Sequence, residues 1–186
     1  INVYKVEVIA KDGYTTQEYI LNITRDSEEY TLRSDTYEII RKDGKTTETE
    51  IIKMTEDYTI GSMPSTERDV FISNFLNPKE NIKMYNEDGS EITDSKTFIM
   101  TGGIIKLEIN GKTYDELRVI VRGDITKDGK VNITDKTKLT NFIIKTTTLD
   151  VYEQLAADVT KDGKVNITDK TKLTNFIIKV IKDLNE

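Results

Sequence analysis

Hydrophobic and polar positions alternate from the first residues of the chain. Val3-Tyr4-Lys5-Val6-Glu7-Val8-Ile9 has the two-residue period of a strand, Lys11-Asp12-Gly13 supplies a turn, and Tyr19-Ile20-Leu21-Asn22-Ile23-Thr24 comes next as a second strand. Residues 1–25 therefore predict a β-hairpin. A lone hairpin is marginal in water, so the pattern implies a larger domain that starts before Ile1. From 26 to 122, short apolar runs predict strands over 29–32, 37–41, 48–54, 81–85, 97–100, 104–109 and 117–121. Asp43-Gly44, Asp88-Gly89, Gly102-Gly103 and Asn110-Gly111 are the turn signals among them. A helix is expected over 65–76, opened by Ser65 or Thr66, with Val70, Phe71, Phe75 and Leu76 near one face. Seven short strands and one helix make a small α+β or β-sandwich module. The last strand runs almost directly into Asp124 with no Pro- or Ser-rich linker, which predicts that this module packs on the C-terminal part of the chain.

Beyond 122 the period changes from two to that of a helix, and the chain repeats itself. Residues 126–145 read TKDGKVNITDKTKLTNFIIK, and residues 160–179 are the same, residue for residue, at an offset of 34. An identity of that length marks a duplicated unit. Each copy ends in a helix pattern, expected over 134–145 and 168–182. Leu139, Phe142 and Ile143 fall at i, i+3 and i+4, as do Leu173, Phe176 and Ile177. The joining stretch contains LDVYEQLAAD, which suits a short helix.

Oxygen-bearing side chains precede each helix at a fixed spacing. The first set is Asp124, Thr126, Asp128, Gly129, Lys130, Asn132 and Asp135; the second is Asp158, Thr160, Asp162, Gly163, Lys164, Asn166 and Asp169. Within a 12-residue loop these are positions 1, 3, 5, 6, 7, 9 and 12, the calcium-loop spacing of an EF-hand. Calcium is a hard cation that takes six to eight oxygens, and three carboxylates per loop offset its double charge. Position 7 acts through its main-chain carbonyl, so Lys130 and Lys164 can send their amines to solvent. Asn132 and Asn166 ligate directly or through water. Thr126 and Thr160 stand where Asp or Asn is usual, and Asp135 and Asp169 where a long Glu is usual, so affinity should be lower. Two ions are expected. A signalling EF-hand needs a helix on both sides of its loop, whereas β-branched, strand-like residues precede Asp124. The pattern argues against a sensor.

Composition narrows the chemistry. The 186 residues contain no His, Cys or Trp, which excludes a Ser-His-Asp triad, a thiol nucleophile, disulfides and a zinc site of the usual ligands. Residues 1–122 hold 16 basic and 23 acidic groups, net −7, and residues 123–186 hold 11 and 10, net +1. Neither part is basic enough for nucleic acid. No apolar run approaches ~18 residues, so no membrane span is expected.

On Gly123-Asp124, the DGKVNITD core, the single exiting helix and the tandem copy, residues 123–186 resemble a type I dockerin. Residues 1–25, with VEVIAKDGYTTQEYILNITR, resemble the last two strands of a bacterial cadherin-like β-sandwich. Residues 26–122 resemble the small β-rich modules that directly precede dockerins in some secreted proteins; the cue is Thr101-Gly102-Gly103 and the strand feeding into Gly-Asp. Together these imply a multi-domain chain, a β-rich (α+β or β-sandwich) N-terminal part followed by an all-α dockerin with two calcium loop–helix repeats.

The resemblance also implies a calcium-dependent plug that binds a cohesin module of a scaffold or cell-surface protein and holds its secreted parent in an extracellular, cellulosome-like assembly. Partner contacts carried over from the family fall on Ile133, Thr134, Thr140 and Asn141, and on Ile167, Thr168, Thr174 and Asn175. Many dockerins carry Ser-Thr and basic residues at these places, so this specificity should differ. Ile133 and Ile167 suit core packing equally well. The alternatives are a calcium-stabilised structural or adhesive module with no cohesin, and an enzyme using paired carboxylates. The roughly 100-residue β-rich part leaves little room for a sugar cleft, so no activity is expected of this stretch, although an upstream part could be catalytic.

Overall fold

The computed structural model describes residues 2–11, 13–23, 30–41 and 56–185. The chain divides into two compact units, Ile1–Thr31 and Leu32–Glu186. In the first, strands β1 (Asn2–Ile9) and β2 (Thr16–Ile23) form an antiparallel hairpin with Glu7 opposite Glu18. Like charges directly opposite one another repel, and Lys5 Nζ relieves the pair by lying 2.6 Å from Glu18.

The second unit is built on a five-stranded sheet of β3 (Glu38–Ile40), β4 (Tyr58–Ser62), β5 (Ile82–Tyr85), β6 (Ile104–Ile109) and β7 (Lys112–Val121). The order is β3-β4-β7-β6-β5, with β4 and β7 parallel and the other pairs antiparallel. Asn110 and Gly111 both have positive φ, 52° and 74°, so the β6–β7 hairpin turns in the primed geometry that matches strand twist. Helix α1 (Arg68–Ser73) covers one face of the sheet. There Phe71 stacks on Tyr37 at 4.8 Å and meets Phe75 edge-on at 5.3 Å, above Ile105, Leu107, Leu117, Val119 and Val121.

Strand β7 explains how the rest of the chain attaches. Leu117, Val119 and Val121 point into that core, while Ile120 on the other face packs with Ile60 and Ala156, flanked by Tyr58, Tyr152 and Leu155. The period of two thus gives β7 two buried faces. The outer one receives helix α3 (Val151–Ala157). Helices α2 (Ile133–Ile143) and α4 (Ile167–Ile177) bury Leu139 and Leu173 against Ile125, Leu149, Val159 and Leu184 in a separate cluster.

The expected all-α domain needs correction. The C-terminal part contains three short helices of 11, 7 and 11 residues, set between long loops and joined to the sheet. Two local causes shorten them. The 12-residue loops use their residues on turns, with φ positive at Lys127, Gly129, Lys161 and Gly163. Left-handed Lys145 and Lys179 then stop α2 and α4: Lys145 N–H donates to the Phe142 carbonyl and Thr146 N–H to that of Asn141, with Phe176 and Asn175 serving the second copy.

Upstream, the strands expected over 37–41, 81–85 and 104–109 form as β3, β5 and β6, and that over 117–121 is the end of the longer β7. The segment 97–100 makes one isolated bridge, Phe98 to Glu67, in place of a strand. Residues 30–32 are not a strand either. Helix α1 is shorter than 65–76, because Ser65 has positive φ (59°) and Thr66 Oγ1 donates back to the Met63 carbonyl. The strand expected over 48–54 and the Asp43-Gly44 turn lie outside the described residues.

Candidate metal centre

Both loops fold around their last carboxylate. Asp135 Oδ1 accepts hydrogen bonds from Ile125 N (3.0 Å), Thr126 N (2.9 Å) and Thr126 Oγ1 (2.8 Å), which draws the start of the loop onto its end. Its Oδ2 accepts from Asn132 N at 2.9 Å. Asn132 Oδ1 in turn accepts from Thr134 N at 2.8 Å, so the position-9 side chain also caps α2. The second copy repeats this: Asp169 Oδ1 accepts from Thr160 N and Oγ1, Oδ2 from Asn166 N, and Asn166 Oδ1 from Thr168 N. Chain order, helix start and loop closure are therefore specified by the same few polar side chains.

The first carboxylates face inward from the other side. Asp124 Oδ1 accepts from Asp128 N at 2.9 Å, and Asp158 Oδ1 from Asp162 N at 3.1 Å. Asp128 and Asp162 each accept the amide two residues on, that of Lys130 and Lys164, at 2.9 Å. The lysine side chains are exposed, and Lys130 Nζ lies 5.9 Å from the centre of the Phe98 ring. Among the described residues, Asp158, Asp162 and Asp169 bring carboxylate oxygens within 4.8 Å of one another.

Burial makes these groups costly as bare anions. Asp124, Asp135 and Asp169 are fully buried and Asp158 nearly so. Desolvation pushes the Asp124 carboxyl up to about 6, against the backbone N–H groups of Thr101, Asp128 and Gly129 that favour its charge; the Asp135 charge adds to the rise. Burial raises Asp158 too, opposed by the amides of Gly163 and Asp162. A donor set made only of oxygens, with buried carboxylates drawn together, fits a hard divalent cation rather than a soft one.

The residues assigned to a partner are displayed differently. Ile133 and Ile167 are 58% and 57% exposed, outside the core that they suited equally well by sequence. Thr134, Asn141 and Thr168 are exposed; Thr140, Thr174 and Asn175 are half-buried. Thr140 and Thr174 Oγ1 donate to the carbonyls of Lys136 and Lys170. Sequence reasoning passed over Ile144 and Ile178, which end the same helices at 60% and 61% exposure. Their signal was the third consecutive apolar position in each NFII run, one more than a buried stripe needs.

Residues 122–178 match the family model described as the dockerin type I domain. This segment is a type I dockerin. Dockerins are non-catalytic modules that bind cohesins in a calcium-dependent way. The matched region of this dockerin opens at Arg122, directly after β7, and closes after α4, so it spans both loops and all three helices. No curated protein matches the chain.

The linker-free junction at 122 is the sequence's signal for packing, but the individual contacts of the dockerin with the β-rich part had none. Thr101 N donates to Asp124 Oδ2 at 2.8 Å and Ser65 N to the Gly129 carbonyl at 2.7 Å. Lys127 Nζ bridges Glu87 (2.9 Å) and Asp150 (2.7 Å). Arg122 Nη1 donates to the Asp158 carbonyl at 3.0 Å.

Proposed function

We propose that residues 123–186 serve as a calcium-loaded plug for a cohesin module on a scaffold or cell-surface protein, and so attach a secreted parent protein to an extracellular complex. Two ions would be held, one by Asp124, Thr126, Asp128, Lys130 (main chain), Asn132 and Asp135, the other by Asp158, Thr160, Asp162, Lys164 (main chain), Asn166 and Asp169. Thr126 and Thr160 donate their hydroxyl protons to Asp135 and Asp169, which leaves the oxygen lone pairs for the ion or for a bridging water. Thr-for-Asp and Asp-for-Glu loops suit the millimolar calcium found outside cells. The observation that carries the reading is the pairing of buried carboxylate loops with exposed helix faces in two copies.

The cohesin would rest on Ile133, Thr134, Thr140 and Asn141, or on Ile167, Thr168, Thr174 and Asn175. Residues 26–122 would brace the dockerin, and 1–25 would close an upstream β-domain. Among the described residues no helix is long and apolar enough to cross a membrane, so attachment would be through the partner. Titrating a cohesin panel by calorimetry, with calcium and then with chelator, tests this. Binding that disappears on chelation is expected. A second reading, calcium bracing without a cohesin, has the Thr101–Asp124 and Ser65–Gly129 bonds in its favour. It predicts no cohesin binding but a calcium-dependent unfolding midpoint.

A further inference from the structure

We infer that the two loops, though identical from the third position onward, bind calcium unequally, with the first loop filling first and about tenfold more tightly. This rests on the proposed calcium binding and adds a cause outside the repeat: the loops that flank the sheet, at Ser65, Ile99 and Thr101, close on the first calcium loop.

Three contacts hold the first loop from outside. Thr101 N donates to Asp124 Oδ2, and Ser65 N to the Gly129 carbonyl. Gly129 sits so close to the sheet-side chain that a Cβ there would lie 2.6 Å from the Ile99 carbonyl oxygen. In the second loop, the equivalent Asp158 Oδ2 accepts from Gly163 N at 2.9 Å, a bond made within the loop itself. A loop already ordered by its surroundings loses less conformational entropy when it binds. An oxygen that accepts an amide keeps a lone pair for a metal, and such outer bonds orient the ligand.

Charge acts in the same direction. Lys127 in the first loop is matched by two carboxylates, Glu87 and Asp150. Its counterpart Lys161 donates to a neutral acceptor, the Asn185 carbonyl. Arg122 has Ala156 as its counterpart 34 residues on, so the repeat does not reproduce it. Its buried guanidinium lies on the Asp158 carbonyl, beside the first ligand of the second loop. A fixed cation there opposes a divalent one at low dielectric. The tighter grouping of Asp158, Asp162 and Asp169 does not reverse the order, since Asp128 is exposed and can turn inward at the cost of a rotamer. The second loop then sets the calcium level at which the dockerin is completed.

Matched substitutions separate the sites: Asp162→Ala leaves the first loop and Asp128→Ala leaves the second. Calorimetric calcium titration of the full chain should give a remaining site about tenfold tighter in Asp162→Ala than in Asp128→Ala, the scale on which outer-shell partners act. In the unsubstituted chain, the Gly129 amide resonance should shift before that of Gly163, which covers the case of a variant that does not fold. Adding Arg122→Gln to Asp128→Ala should strengthen the remaining site. Two equal sites, or Gly163 shifting first, would overturn the inference and leave the calcium reading standing. No calcium binding by the unsubstituted chain would overturn both.

Discussion

Asp135 and Asp169 each do two things at once. The carboxylate that would complete the metal cage also accepts the N-cap amide of its helix and the hydroxyl of a threonine nine residues back. Asp128 is different: it is exposed and accepts only a local amide among its described bonds. The two roles should separate in unfolding experiments. Asp135→Ala is expected to lower stability by about 1–2 kcal/mol even in chelator, the usual loss for a helix cap. Asp128→Ala should change stability in chelator by no more than about 0.5 kcal/mol, yet remove part of the gain that calcium brings. Equal losses for the two variants in chelator would mean that the capping geometry contributes nothing. The polar spacing that made these residues legible in the sequence is local, twelve residues from first ligand to last. The Thr101 amide that meets Asp124 lies 23 residues away in the turn before β6, and no spacing rule points to a main-chain donor.

Among the elements, β7 and α3 carry the join between sheet and dockerin, and their ion pairs make it acid-sensitive. Glu56 accepts from Tyr152 Oη at 2.5 Å and from Arg118 Nε at 2.9 Å, while Arg118 lies over the Tyr152 ring at 5.3 Å. The Tyr152 hydroxyl holds the Glu56 carboxyl below its ordinary value; burial opposes this and Arg118 adds to it. Burial would raise Asp150, but Lys127 and the Glu153 amide outweigh it and keep Asp150 low as well. A carboxylate with a depressed folded pKa stabilises the fold above its unfolded value, and loses that contribution as pH falls through the folded one. The Tyr152 ring resonances, followed in chelator, should therefore shift with a midpoint below the ordinary glutamate value of 4.5. In Glu56→Gln that step should vanish. A midpoint at or above that value would rule out the linkage. Legibility at this scale divides as it does among single residues. Strands β5 and β6 and the Asn110-Gly111 turn were readable because alternation and turn chemistry are local. Strand β4 was not, since Tyr58–Ser62 is short and contains Gly61, and its parallel partner lies about 60 residues away. The polar first half of β7, residues 112–116, forms a strand only because β6 pairs with it.

For the molecule as a whole, the acidic excess lies upstream, net −7 over residues 1–122, while the last 64 residues carry +1 and would reach about +5 with two calcium ions. The loops flanking the sheet break the symmetry of the duplicated calcium loops but leave the helix faces alike. Ile133 and Ile167 are equally exposed, and so are Ile144 and Ile178. The same residues at the same spacing on two accessible helices give a partner two equivalent places to dock, one at a time. We therefore expect that Thr134→Ala with Asn141→Ala lowers cohesin affinity by no more than about twofold, the statistical loss of one of two equal modes. Adding Thr168→Ala and Asn175→Ala should then abolish binding. The substituted side chains lie outside the buried clusters, so stability should hold within about 0.5 kcal/mol, and any loss of binding can be read as loss of contact. If the first pair alone removed binding, only the α2 face would be in use. If the second pair alone did so, it would be the α4 face. Titration calorimetry at saturating calcium separates these outcomes, because both loops are then filled and their unequal affinities no longer bias which face is ready.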